Sequence, residues 1–276
     1  MQADDADLER RFGGLRRLYG DAGYARVRGA RVAVVGLGGV GSWAAEALAR
    51  SGVATLVLID LDHVSESNVN RQIQALGSTL GMSKAEALKA RIADIHPDCE
   101  VICIEEFVEP ANWPALLPVP VQALIDCCDQ VRAKAVLAEW ALREQLPLVT
   151  VGAAGGKQLA QKVEVDDLAA TTHDPLLASL RQRLRKAGAA PRQGGAIGVR
   201  CVFSREPVRA PDGACDIDGT LNCHGYGSTV TVTATFGLVA AGETIQQLIS
   251  QKQLVKAETH AIVRGSADEF ITQLGC

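Results

Sequence analysis

Residues 31–50 read RVAVVGLGGVGSWAAEALAR, and their interpretation decides the fold. Arg31–Val35 is a short, β-branched apolar run, the composition of a buried strand. Gly36-Leu37-Gly38-Gly39-Val40-Gly41 is a glycine-rich turn, and Ser42–Arg50 is strongly helix-forming. Thr55–Asp60 (TLVLID) then reads as a second strand closed by an acid. Strand, glycine turn, helix and terminal acid together form the context required of a dinucleotide or nucleotide site. Glycines let the backbone approach phosphate oxygens, and the free N–H groups at the helix start attract the anion. Gly36, Gly38, Gly39 and Gly41 are therefore the candidate phosphate cradle, and Asp60 is placed to accept hydrogen bonds from ribose hydroxyls. The fingerprint alone leaves NAD and ATP both open.

The same rhythm continues outward. Leu8, Phe12, Leu15 and Leu18 give the first thirty residues a helical spacing. Ser83–Ile95 reads as a helix, with Ser83 as its cap and Glu86 three positions later. Val101–Ile104, Ala123–Asp126 and Leu148–Val151 read as strands, with a helix over Val131–Gln145. Buried apolar strands alternating with helices predict an α/β fold: a Rossmann-like, mostly parallel sheet covered on both faces. The nucleotide-binding half spans about 28–152. Beyond it, Pro175–Ala187 reads as a basic amphipathic helix, Gly188–Gly198 as a loop and Val199–Phe203 as a strand. Thr229–Phe236 alternates threonine with apolar residues at a strand-like period, and Phe236–Ile249 reads as helix. This second half, about 153–276, is expected to extend the same single domain as an α+β portion serving substrate binding and dimerisation.

The stretch after Asp60 separates the two nucleotides. A dehydrogenase normally runs directly into its next helix, whereas Leu61–Gln72 (LDHVSESNVNRQ) is a polar loop ending in Asn70-Arg71-Gln72. Lys84 stands thirteen residues after Arg71. Two cations beside a nucleotide already held by backbone amides suit three phosphates to be neutralised and one bond to be broken. Asp126-Cys127-Cys128-Asp129 closes a strand at the carboxyl edge of the sheet, where ligands bind, and its carboxylates are candidate magnesium ligands.

Charge and cysteine usage bound the partners. With 28 basic and 32 acidic residues the net charge is −4, so the chain as a whole is no obvious polyanion binder. Residues 176–210 nevertheless carry eight cations (Arg181, Arg183, Arg185, Lys186, Arg192, Arg200, Arg205 and Arg209) against Glu206 alone, a +7 segment compatible with nucleic acid. The start, MQADDADLERRFGG, has no apolar core of a signal peptide, and the 8 cysteines are scattered, so reduced thiols in the cytoplasm are expected. Residues 225–242 (GYGSTVTVTATFGLVAAG) are uncharged, but four threonines and four glycines dilute them. They are read as buried core or subunit interface and not as a membrane span.

GLGGVGSWAAEALARSGV, LIDLDHVSESNVNRQ, GMSKAEA and DCCD, in this order and spacing, resemble the ubiquitin-activating-type adenylyltransferases. That superfamily includes the enzymes that adenylate the sulfur carriers of molybdopterin and thiamine synthesis. RRFGGLRRLYG, PLVTVGAAGG, DPL at 174–176, CVFS at 201–204 and GYGSTVTVTATFG are similar to its tRNA threonylcarbamoyladenosine dehydratases, over nearly the whole chain. The resemblance implies an enzyme that uses ATP and Mg2+ to adenylate the carboxylate of threonylcarbamoyladenosine in tRNA, then cyclises it with release of AMP and pyrophosphate. By position it implies Asp60 at the ribose, Gly38, Gly39 and Gly41 at the phosphates, and Asp62 within the nucleotide site. Arg71 and Lys84 would stabilise the transferring charge as catalytic residues, Asn68 and Gln72 would orient the phosphates, and Asp129, with Asp126, would hold magnesium.

The resemblance also implies a homodimer in which an N-terminal arginine, here Arg11 or Arg17, reaches the partner's ATP. On the same reading Arg181, Arg183, Arg185, Lys186 and Arg192 become the tRNA contact. The sulfur-carrier adenylyltransferases commonly bind zinc through two Cys-x-x-Cys pairs; this sequence has none, so no zinc site of that kind is expected. Cys223, beside His224, is the candidate thiol for acyl transfer or for a sulfur-relay protein partner. Two other readings are activation of a ubiquitin-like sulfur-carrier protein and a NAD-dependent oxidoreductase.

Overall fold

Successive side chains of a strand face opposite sides of a sheet, and the central strands here are apolar on both. In the computed structural model, which describes residues 6–208 and 226–250, α1 (Leu8–Phe12) and α2 (Gly14–Arg28) precede β1 (Arg31–Val35), α3 (Gly41–Arg50) and β2 (Thr55–Ile59). Then come α4 (Lys84–Ile95), β3 (Glu100–Ile104), β4 (Ala123–Asp126), α5 (Val131–Glu144) and β5 (Leu148–Val151). The remainder is β6 (Val163–Asp167), α6 (Pro175–Ala187), β7 (Arg200–Ser204) and α7 (Val230–Ser250). All seven strands form one sheet of order β3-β2-β1-β4-β5-β7-β6. It is parallel except for β6, which runs antiparallel to β7 at the edge. The strand order reverses between β1 and β4, the place where open α/β sheets bind ligands.

Val32 and Val34 of β1, with Leu56 and Leu58 of β2, pack under α3, α4 and α7. Ala33, Val35, Val57 and Ile59 face the other way, into a layer built with α5 and α6. Each fully buried Val, Leu or Ile contributes about 1.5–3 kcal/mol relative to exposure, so the two layers hold the carboxyl ends of β1 and β4 rigidly in place.

Three local expectations are revised. The strand expected over Thr229–Phe236 is instead the first part of α7. Its threonines satisfy their hydroxyls inside the helix, Thr233 Oγ1 donating to the Thr229 carbonyl at 3.3 Å and Thr235 Oγ1 to Thr231 at 2.7 Å. Burial of Val232, Thr233 and Phe236 then outweighs the weak β preference of the alternation. A Cβ at Gly237 would stand 2.4 Å from the Val40 carbonyl oxygen and 2.8 Å from the Trp43 side chain, so α7 lies directly on the start of α3. β6 (VEVDD) was not expected, being a half-exposed edge strand with acids in its pattern. Ser83 does precede α4, but its side chain makes no capping bond and its Oγ is buried without a partner.

Among the described residues no helix is long and apolar enough to cross a membrane.

Candidate nucleotide-binding and active site

The turn after β1 is closed too tightly for side chains. Gly36 adopts φ +85°, and a Cβ there would lie 2.9 Å from the Cys127 carbonyl; one on Gly41 would stand 1.8 Å from the Gly36 oxygen. Gly38, by contrast, faces open space, with nothing within 4 Å of the position a Cβ would take. α3 begins here without any side-chain cap and without an acid in its first turn. The turn therefore presents uncapped amides and an open side to an anion.

Leu37 is bracketed. Its N–H donates to Asp60 Oδ2 at 2.5 Å, and its carbonyl accepts from Gln74 Nε2 at 3.0 Å. Asp60 Oδ1 accepts the Asp62 N–H at 2.8 Å. Burial raises the Asp60 pKa, opposed by Lys84 and by these two amide donors. Each carboxylate oxygen has two lone-pair directions, so the acid remains able to accept a ribose hydroxyl.

The loop from Asp62 to Lys84 is clipped shut by a small antiparallel pairing. Val64 N–H donates to the Met82 carbonyl at 2.8 Å and Lys84 N–H to the Asp62 carbonyl at 3.0 Å, beside a His63–Ser83 bridge. This brings the buried Lys84 ammonium to 2.6 Å from Asp62 and 3.9 Å from Asp60. Arg71 comes from the other side: its Cγ and Cδ lie 3.2 Å from where a Gly39 Cβ would be. Its guanidinium donates to the Ser67 carbonyl at 2.6 Å and to Asn70 Oδ1 at 2.9 Å, and burial lowers its pKa by stripping water from the cation. The two expected cations thus flank the glycine turn, Arg71 at Gly39 and Lys84 at Asp60.

Asn68 supports Arg71 through the loop backbone. Its Oδ1 accepts the Ser65 N–H at 3.0 Å, and its carbonyl accepts the N–H groups of both Arg71 and Gln72 at 3.0 Å. Gln72 is buried, its Oε1 accepting from Gln74 Nε2 at 3.1 Å. Three participants went unrecognised in the sequence. Trp43 Nε1 donates to the Arg71 carbonyl at 2.9 Å, Gln74 ties Gln72 to Leu37, and Thr233 of α7 approaches Gly39. Only Trp43, the lone aromatic of α3, carried a local signal. Ser42 Oγ and Gln74 Oε1 are buried beside this turn without partners, as expected of a cradle shaped for a polar ligand.

Asp126 and Asp129 separate. Asp126, expected to share a metal with Asp129, is wholly buried and accepts from Lys134, Thr150 and the Cys128 N–H. As the last residue of β4 it points into the protein and offers no oxygen to solvent. Asp129 is exposed in the turn, two residues after the Cys127 carbonyl that backs Gly36. Magnesium commonly takes one or two carboxylates together with nucleotide phosphates, so a single Asp129 carboxylate fits that chemistry. Burial pushes the Cys127 thiol up to about 12 and the Cys128 thiol well above its ordinary range, so neither is a thiolate nucleophile at neutral pH.

The basic segment is less available than its charge suggests. Arg181 NH1 donates to the carbonyls of Leu168 and Thr171 and to Thr171 Oγ1, each at 2.9 Å, so that nitrogen of an expected tRNA contact is engaged within the protein. Arg200 pairs with Glu243 at 2.9 Å and Arg205 with Glu164 at 2.8 Å. Arg185 is half-buried, while Arg183, Lys186 and Arg192 are exposed. Near the amino end, Arg11 caps α4 through the Asp94 and Ile95 carbonyls at 2.9 and 2.8 Å, whereas Arg17 is exposed. Cys223, His224 and Arg209 lie outside the described residues.

The chain is similar to known proteins over most of its length. The ThiF family matches residues 11–268. The chain is 43% identical over 252 residues to the tRNA threonylcarbamoyladenosine dehydratase of Escherichia coli (strain K12), covering 87% of this chain and 94% of that protein. It is 34% identical over 246 residues to the enzyme of the same name from Bacillus subtilis (strain 168), with 87% and 94% covered. The fold is similar to the crystal structure of the E. coli tRNA N6-threonylcarbamoyladenosine dehydratase in complex with ATP, at TM-score 0.80 and 42% identity, covering 88% of this chain and 96% of that one.

Proposed function

The chain belongs to the ThiF family, and from that membership we propose that it is an ATP-dependent dehydratase of threonylcarbamoyladenosine in tRNA. The observation that carries the reading is the glycine turn flanked by Arg71 and Lys84 above an open Gly38, in a chain 43% identical to a dehydratase of that name.

In the proposed reaction the threonine carboxylate attacks the α-phosphorus of ATP in line, and pyrophosphate leaves as the acyl-adenylate forms. The uncapped amides after Gly38 hold phosphate oxygens, and Asp60 takes the ribose. Arg71, partly desolvated, and Lys84 stabilise charge as it moves to the leaving pyrophosphate. Lys84 rests on Asp62 at 2.6 Å, so binding a triphosphate exchanges that carboxylate for a phosphate oxygen. Asn68 and Trp43 keep the Arg71 backbone in place, and Gln72, tied by Gln74, completes the wall. Asp129 would hold magnesium, which supplies charge neutralisation on the phosphates when bound. The neighbouring carbamoyl group then closes a five-membered ring on the activated carbonyl and expels AMP, so the nucleoside loses one water. Ring closure is intramolecular and benefits from high effective molarity, so no cysteine nucleophile is needed.

Arg183, Lys186 and Arg192, the exposed cations of residues 181–192, are the proposed tRNA contacts, with Arg181 and Arg185 of α6 only partly exposed. A cytoplasmic location, where it would meet tRNA, is part of the same proposal. A homodimer, with Arg17 as the exposed N-terminal candidate, and a sulfur-relay partner acting through Cys223 belong to the same proposal, as does a single domain over 1–276. The test is to incubate the protein with ATP, Mg2+ and tRNA bearing threonylcarbamoyladenosine. The proposal expects AMP, pyrophosphate and a nucleoside lighter by one water. Pyrophosphate released only with a small carrier protein ending in glycine would replace it with sulfur-carrier activation.

A further inference from the structure

Three polar side chains with no exposure at all meet beneath the turn that backs the glycine cradle: Asp126, Lys134 and Thr150. Lys134, in the first turn of α5, donates to Asp126 Oδ2 and to Thr150 Oγ1, both at 3.1 Å, and to the Asp126 carbonyl at 3.3 Å. Thr150 Oγ1 donates in turn to Asp126 Oδ2 at 2.5 Å, and Asp126 Oδ1 accepts the Cys128 N–H at 3.0 Å. Burial works against the Lys134 charge, yet Asp126 holds its pKa above the ordinary lysine value, so the ammonium stays charged.

A buried ion pair is a poor source of stability, because well-packed apolar residues of similar volume commonly serve as well or better. What such a network can supply is one fixed geometry. Its place says which. It staples the ends of β4 and β5 and the start of α5 around residues 127–129, at the point where the sheet order reverses. The Cys127 carbonyl in that turn lies against Gly36, and Asp129 closes it.

We infer that Lys134, Asp126 and Thr150 are positioning residues that lock the Cys127–Asp129 turn in the conformation presenting Asp129 to the magnesium of bound ATP. The inference rests on the reading of Asp129 as the metal residue and of the glycine turn as the ATP site.

Calorimetric titration of the full chain with ATP, once with Mg2+ and once with EDTA, tests it without relying on turnover. Thr150→Val keeps the shape and removes the hydroxyl. It should weaken ATP binding in Mg2+ about tenfold, the size usual for partners that orient a metal ligand. Binding in EDTA should stay within about twofold, and Thr150→Ser should restore the wild-type value. Lys134→Met should act in the same direction, with a lowered melting temperature because it leaves the Asp126 carboxylate buried without its cation. Asp129→Asn isolates the underlying reading: it should abolish the difference between Mg2+ and EDTA. If Asp129→Asn does so while Thr150→Val and Lys134→Met bind as wild type, the positioning role is overturned and the metal reading stands. Equal losses in Mg2+ and EDTA for Thr150→Val also overturn it, as a merely structural contact. An unchanged Mg2+ response in Asp129→Asn removes the metal reading, and the inference falls with it.

Discussion

Arg71 and Lys84, on either side of the glycine turn, contrast with the cations of residues 176–205. The first two are drawn inward by loop geometry onto groups that a ligand can displace or share: Lys84 onto the exposed Asp62 carboxylate, Arg71 onto a loop carbonyl and Asn70. The second set is denser in charge but more committed. Arg181 closes the Leu168–Thr171 turn, and Arg200 and Arg205 pair with Glu243 and Glu164. Arg181 marks the far end of the contrast: its partners are carbonyls of the buried Leu168 and Thr171, whereas the Lys84 partner is an exposed carboxylate that a ligand can replace.

The largest effects should separate the two regions cleanly. Arg71→Ala or Lys84→Ala should each lower kcat at least about 10²–10³-fold, the usual consequence of removing one donor from developing charge, with circular dichroism unchanged. Residual turnover near wild type in either variant would break the contrast. Arg181→Ala should instead leave kcat within about twofold but lower unfolding free energy by about 1–3 kcal/mol, since two carbonyls lose a charged donor. Denaturant titration measures it. Smaller still, Arg183→Glu with Lys186→Glu should weaken tRNA binding several-fold and flatten its salt dependence by roughly one to two in log–log slope. The same double change should not touch ATP affinity.

The smallest expected effect concerns Asp60. Burial raises its folded pKa above the unfolded value, so its contribution to stability is full below the unfolded pKa and is lost as pH rises through the folded one. At neutral pH the ionised group is a net cost. Asp60→Asn should therefore hold or slightly raise the melting temperature at pH 7, with the gain disappearing below about pH 4, while ATP affinity falls. A drop in melting temperature at pH 7 would show that the carboxylate's bonds to Leu37 and Asp62 outweigh its desolvation.

The nucleotide half was legible because its signals are local. An apolar run, four glycines, a helix and a closing acid lie within thirty residues, and β1, α3 and β2 match them to within a residue or two. The start of α7 was not, because a Thr/Val alternation fits either period until a neighbour such as α3 selects one. Asp126 and Asp129 look alike in DCCD; only the pleat of β4 turns one inward onto Lys134 and leaves the other in the turn. Arg181 looks like Arg183 in the same way, two residues apart on one helix, yet one caps a turn and the other meets solvent. Gln74 and Trp43 act through contacts across the loop, which no spacing rule announces.

The crystal structure of this protein with a non-hydrolysable ATP analogue is the most direct measurement of the central claim. The account predicts the triphosphate on the amides of Gly38–Gly41, the Lys84 ammonium moved from Asp62 to a phosphate oxygen, and the Arg71 guanidinium bonded to the same chain of phosphates. A nucleotide bound elsewhere, or bound at the turn with Lys84 still on Asp62 and Arg71 directed away, would contradict it.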